Sequence, residues 1–167
     1  MPSEPLSTKE CAYYNSLNLP RIIKCLSILS EDDVWLSPNK NTNSIANLIL
    51  HLNGNITQYI LAGLGGVKDQ RDRNSEFSVS SGHSKDELYK ILERTVLGAN
   101  EIIRHLSPEK LAKKFMIQGF EITGMGAIVH VTEHLSYHTG QIALMTKIIK
   151  DEDLGFYSGT DLNITNG

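Results

Sequence analysis

The sequence predicts an all-α protein, a four-helix bundle with a long loop between its second and third helices. Three observations carry this. Apolar residues recur every three or four positions along four separate stretches. Capping residues and Gly or Pro punctuate those stretches where helices begin and stop. The chain has 167 residues, 40% hydrophobic and 21% charged, so a single domain can bury about two-thirds of its unfolded surface. One helical domain over residues 1–167 is expected, with its core at about 8–150 and a polar tail at 151–167.

The first helix is expected over about 8–29, with Leu17, Ile22, Cys25, Leu26 and Leu29 near helical spacing. Pro20 lacks an N–H and should kink or divide it. Ser30-Glu31-Asp32-Asp33 then begins a polar turn, and Trp35 should fold onto the core from a connector. Asn43 or Ser44 can cap the second helix, whose stripe is Ile45, Leu48, Leu52, Ile56, Tyr59, Ile60 and Gly63. It should stop at Gly65-Gly66. A polar loop over 67–82 follows, and loops of that length are often functional.

The third helix opens on a capping box, Ser84 with Glu87, and carries Leu88, Ile91, Leu92, Thr95, Ala99, Ile102, Ile103 and Leu106 inward. Ser107-Pro108 should end it, and 113–122 reads as irregular or briefly extended. The fourth helix should run from near Thr123 to about Ile149, its seam formed by Ile128, Val131, Leu135, His138, Ile142, Met145 and Ile149. The long second-to-third link leaves room for a topology other than simple up-down-up-down.

Net charge is −3 and no Lys/Arg cluster stands out, which argues against nucleic acid as a partner. No apolar run approaches the ~20 residues needed to span a bilayer, so no membrane partner is expected. Met1-Pro2-Ser3-Glu4-Pro5 lacks the features of a secretory signal, giving a cytoplasmic expectation. Cys11 and Cys25 would lie about 21 Å apart on one helix, beyond disulfide reach, and read as small core residues. Gly63-Leu64-Gly65-Gly66 follows a helix instead of preceding one, which disfavours a phosphate cradle.

The chemistry lies with histidines on inner helix faces. His130, His134 and His138 recur every four residues, and each step of four turns a helix by only ~40° net. An i, i+4 pair therefore aims two imidazoles at one point, which suits a metal. His138 lies on the buried seam and His134 beside it. His130 sits ~80° round from His138 and has the weaker geometric claim. His51 flanks the seam of the second helix, but periodicity does not select the third ligand. His83 and His105 read as surface or capping residues. Glu133 precedes His134 and points about 100° away from it, so no built-in general base is visible. Three neutral ligands would leave an open coordination position, as catalytic sites do.

Several stretches resemble the DinB-like superfamily of metal-binding four-helix bundles, in an uncharacterised branch. They are Asn43-Ser44-Ile45-Ala46-Asn47-Leu48-Ile49-Leu50-His51-Leu52-Asn53-Gly54-Asn55, Gly63-Leu64-Gly65-Gly66 with Arg71-Asp72-Arg73 and Glu76-Phe77, and Ile117-Gln118-Gly119-Phe120. The most specific is His134-Leu135-Ser136-Tyr137-His138-Thr139-Gly140-Gln141-Ile142, and Asp153-Leu154-Gly155-Phe156-Tyr157 also matches. The resemblance implies one ligand from the second helix and two from the last, which are His51, His134 and His138 here. It further implies a divalent ion, zinc or nickel first, and a homodimer. It also implies a metal-dependent enzyme acting through a small thiol cofactor in the manner of an S-transferase.

A non-catalytic, stress-associated metal module and a metal-dependent hydrolase are the alternatives. Asn55 and Gln141 could orient ligands or substrate, against a plain interhelical hydrogen-bonding role. Arg71 and Arg73 could bind the carboxylates of a thiol cofactor, against a solvated loop pair.

Overall fold

The computed structural model describes residues 7–165; the first six residues, on which the expectation of no leader rests, and the last two lie outside the described residues. The elements are α1 (Ser7–Ile28), α2 (Glu31–Trp35), α3 (Ile45–Ile56), a π-helical turn (Thr57–Ala62), α4 (Arg73–Ser78), α5 (Lys85–Arg104), α6 (Pro108–Ala112), β1 (Lys114–Ile117), β2 (Phe120–Thr123) and α7 (Gly124–Lys150). Helix makes up 65% of the structure, so the class is all-α. None of the described helices is long and apolar enough to cross a membrane.

The four long helices form the bundle. Helix α7 packs on α1 and α3, and α5 packs on the same two. The order around the bundle is therefore α1, α5, α3, α7, and the successive long helices α1 and α3 lie across from each other. This departs from a simple sequential ring, and it makes α3 and α7 direct neighbours. Between the helices Ile22, Leu52, Leu92, Ile128 and Leu135 are fully buried. Each such side chain contributes about 1.5–3 kcal/mol relative to exposure.

Local chemistry sets the helix ends. The Ser44 hydroxyl accepts from Asn47 N–H, and the Asn47 side chain accepts from Ser44 N–H. Ser84 and Glu87 make the same reciprocal box at α5. Thr123 caps α7, and Asp151 ends it in the left-handed conformation at φ 52°.

Three expectations are corrected in detail, and a fourth, the extended reading of 113–122, is sharpened. Helix α1 runs through Pro20 undivided. The roughly 3 kcal/mol a proline inside a helix costs is outweighed by burial of Leu19, Ile22 and Leu26 on the same helix. Ser107-Pro108 opens α6 instead of ending α5; Ser107 accepts from Lys110 N–H and Pro108 takes the first turn, where its missing N–H costs nothing. The segment before α7 is an antiparallel hairpin, turning at Gln118 (φ 53°) and Gly119 (φ 82°). The tail is not uniformly polar, since Leu154 is buried and Phe156 packs on the core.

Trp35 packs on the core as expected, and its Nε1–H donates to the His83 carbonyl at 3.1 Å. Gly63 is a packing residue, because a Cβ there would meet Ile117 of the hairpin at 2.5 Å. The long loop is also not structureless, for α4 lies within it.

One buried polar network locks α1 to α5. Asn15 Nδ2 donates to Asn100 Oδ1 at 3.1 Å, and Asn100 Nδ2 donates to the Ala12 carbonyl at 3.0 Å and to Ser16 Oγ at 2.9 Å. Asn100→Ala strands the buried Asn15 amide. A loss of about 1–3 kcal/mol in urea unfolding is expected, and an unchanged midpoint would show the network to be dispensable.

Candidate metal centre

Helix α3 supplies His51 from its buried face, and α7 supplies His134 and His138 one turn apart. Their Nε2 atoms converge. His134 Nε2 lies 3.2 Å from His51 Nε2 and 3.1 Å from His138 Nε2. Two nitrogens bound tetrahedrally at zinc distances would be about 3.3 Å apart. The rings cross at 70° (His51 with His134), 83° (His134 with His138) and 86° (His51 with His138). Among the described residues this is the one group of three such side chains whose donor atoms all lie within 4.8 Å of one another, so it could hold a metal ion.

The outer nitrogens decide what the inner ones can do. His51 Nδ1 lies 2.9 Å from Glu76 Oε2 and 3.2 Å from Arg71 Nη2; the closer partner is an ionised carboxylate, which can only accept, and this assigns the ring proton to Nδ1, as Gln141 Oε1 at 2.6 Å does for His138 Nδ1. A neutral ring with Nδ1 protonated presents a lone pair at Nε2. Two lone pairs therefore face His134 Nε2, whose own Nδ1 is buried without a partner among the described residues. One shared proton cannot satisfy three inward nitrogens. A cation does, and backing of ligand imidazoles by a carboxylate or amide is how metal sites fix the tautomer.

Burial favours the neutral form of the three α7 rings. Burial drives the His134 pKa down to about 3, helped by the neighbouring imidazoles of His138, His51 and His130 and by Arg71. Burial also lowers His138 despite its bond to Gln141, and lowers His130 despite the charge of Glu133. Burial alone would raise Glu76, but hydrogen bonds from Arg71 and His51 outweigh it and hold the carboxylate ionised.

Glu76 is the residue sequence reasoning missed. It is buried on α4, inside the loop. Arg71 Nε and Nη2 donate to its two oxygens at 2.7 and 2.9 Å, and Arg71 Nη1 donates to Gln58 Oε1 at 2.9 Å. Arg71 is therefore not half of a solvated pair; its side chain is 3% exposed and turned inward. Arg73 lies over the Phe77 ring at 5.0 Å. Gln141 backs His138. Asn55 Nδ2 donates to His130 Nε2 at 3.3 Å and leaves its Oδ1 without a partner among the described residues.

His130 stacks between Tyr59 and His134, with ring centroids 4.3 and 5.4 Å away, and lies outside the converging group. Glu133 is exposed and lines a cleft between α1 and α7, away from the triad. His105 caps the end of α5 and His83 is half-buried. Cys25 is buried and Cys11 half-buried, both unbridged.

A family profile described as "Protein of unknown function (DUF1572)" matches residues 16–160. The chain belongs to the DUF1572 family. Solved structures, two of them of DinB-like proteins, agree at the level of the fold. A conserved protein from Enterococcus faecalis superposes with a TM-score of 0.74 at 13% identity, covering 89% of this chain and all of that one. A DinB-like protein from Bacillus cereus gives 0.63 at 14% identity, covering 80% and 87% of the two chains. A DinB-like protein from Bacillus subtilis, YjoA, gives 0.63 at 15% identity, covering 84% and 91%. No curated protein matches the sequence.

In the metal-free DUF1572 protein, burying neutral histidines has a stability consequence. A His whose folded pKa is depressed binds a proton more readily when unfolded. Its contribution is complete above the unfolded value near 6.5 and erodes as pH falls toward the folded value, about 3 for His134. Urea-unfolding stability should therefore drop between pH 6.5 and 4, by up to about 1.4 kcal/mol per pH unit for each proton taken up. A flat profile there would contradict the burial of His134.

Proposed function

We propose that this DUF1572 protein is a metal-dependent enzyme that holds one divalent ion, zinc or nickel, through His51, His134 and His138 and works through a small thiol as an S-transferase. The observation supporting a metal is that His134 Nε2 lies 3.2 Å from His51 Nε2 and 3.1 Å from His138 Nε2, with the outer nitrogens of His51 and His138 already committed to Glu76 and Gln141. Three protein donors leave room at the ion for a small molecule. When bound, such an ion acts as a Lewis acid and lowers the pKa of a thiol or water beside it. The thiol itself is supported by the family resemblance alone.

The chain's own groups do the positioning. Glu76 and Gln141 fix the tautomers of His51 and His138, so that neither ring turns away. Arg71 holds Glu76 ionised. Asn55, held to His130 and with its buried Oδ1 lacking a partner among the described residues, keeps an acceptor that could help orient a ligand.

A second reading, a metal-binding module without catalysis, is favoured by one observation. Arg71 has its donors occupied by Glu76 and Gln58, so it is not available to clamp the carboxylates of a thiol cofactor.

His138→Ala should lower metal affinity by more than the roughly 10–100-fold that loss of an outer partner costs, whereas His105→Ala should leave it unchanged. Equilibrium competition with a chelator measures both, and full occupancy in both variants would refute the ligand assignment. Cobalt substitution separates the two readings of function. A shift of the visible spectrum on adding a small thiol supports the enzyme; an unaltered spectrum supports the module.

A further inference from the structure

Gly54 sits in the interior of α3 with ordinary helical backbone, where glycine costs about 1 kcal/mol relative to alanine. The helix gives no reason for it. The reason lies on the face it turns to the loop that carries α4. A Cβ there would overlap Glu76 Oε1, lie 2.8 Å from Glu76 Cδ and lie 3.0 Å from Arg71 Nε. The Arg71–Glu76 pair rests in the notch left by the absent side chain.

That notch belongs to a larger seat. Asn47, His51, Gly54 and Gln58 follow one another at steps of four, three and four, the spacing of a single helix face. Each meets the loop that carries α4. Asn47 Nδ2 donates to the carbonyls of Glu76 and Val79 at 3.0 and 2.8 Å. His51 donates to Glu76 Oε2. Gln58 accepts from Arg71 and donates to Asp69 Oδ2 at 2.8 Å. The Glu76 carboxylate cannot retreat from a new methyl group without breaking one of these bonds, since Arg71 grips both its oxygens and its side chain is 8% exposed.

We infer that Gly54 is a positioning residue of the triad. By leaving the notch open it seats Glu76 against His51 Nδ1, and so fixes the tautomer that turns His51 Nε2 toward His134 and His138. Glycine is needed at 54 because of the Arg71–Glu76 pair, whose carboxylate a Cβ would meet first. The effect on metal affinity rests on the metal reading above; the effect on the His51 tautomer does not.

Gly54→Ala tests this in the full chain, with Glu76→Ala, the double variant, and Gly98→Ala as control. A Cβ at Gly98 would meet only Leu61, at 3.7 Å. The readouts are the His51 ring nitrogen-15 shifts in metal-free protein and zinc affinity by chelator competition. Gly54→Ala is expected to shift His51 away from the Nδ1–H tautomer and weaken zinc binding by roughly 10–100-fold, with Gly98→Ala like wild type. In the Glu76→Ala background the same change should cost no more than about twofold, the usual additivity error.

An unchanged His51 tautomer in Gly54→Ala, or an equal cost in both backgrounds, would overturn the inference. Should Gly54→Ala fail to fold while the double variant folds, the clash is confirmed; should both fail, glycine is required for another reason and the inference falls. If wild type binds neither zinc nor nickel, the metal reading fails, and the nitrogen-15 shifts across the same four variants still decide the role of Gly54.

Discussion

Six ring nitrogens have to be satisfied in the interior of this bundle, and that requirement organises the site. Buried imidazoles without partners are costly. Two of the outer nitrogens are answered from within the chain, by Glu76 and Gln141. The three inner ones answer only to one another, at distances too close for three lone pairs and too crowded for three protons. The burial that keeps His134 neutral also keeps it available as a donor. The same physical fact that destabilises the metal-free protein in acid therefore prepares it for a cation.

The bundle's order around its axis makes this meeting possible. His51 and the pair on α7 are more than eighty residues apart, yet α3 and α7 are neighbours because α1 and α3 lie across the bundle. The loop between α3 and α5 is then free to fold back over α3 instead of merely bridging two helices. It returns with α4, capped by Asp72 at its start and tied by Asn47 at its end. Its length serves to deliver one carboxylate.

Much of the fold was legible in the sequence because it rests on periodicity and caps. Ser84 with Glu87, Thr123 before α7, and the i, i+4 spacing of His134 and His138 are local signals that tertiary structure leaves intact. Pro20 misled because its penalty is local while the burial of Leu19, Ile22 and Leu26 is not. Ser107-Pro108 misled because the same pair can close one helix or open the next. The triad was half legible: spacing gave two of its rings, but His51 came only from resemblance, since the geometry joining α3 to α7 is long-range. Glu76 was invisible for a stronger reason. Nothing in Arg71-Asp72-Arg73-Asn74-Ser75-Glu76 distinguishes a buried ion pair from a solvated one; the distinction is made by Gly54, seventeen residues from Arg71, and no pattern rule links them.

Charge balance gives the last constraint. The triad offers three neutral nitrogens, and the nearest carboxylate, Glu76, is paired with Arg71. The protein therefore brings little net negative charge to the point where the nitrogens meet. A divalent ion held there would keep most of its own charge, which favours an anionic ligand in any open position. A carboxylate facing the ion directly would spend that charge within the protein. Glu133, the acidic residue next in sequence to His134, is turned to the α1 side and leaves it intact. Placing Glu76 one ring behind the nitrogens, with Arg71 behind it in turn, orients His51 without neutralising the centre. Such an arrangement would leave an ion held there open to a ligand from outside the chain, where a carboxylate facing it would close the site from within.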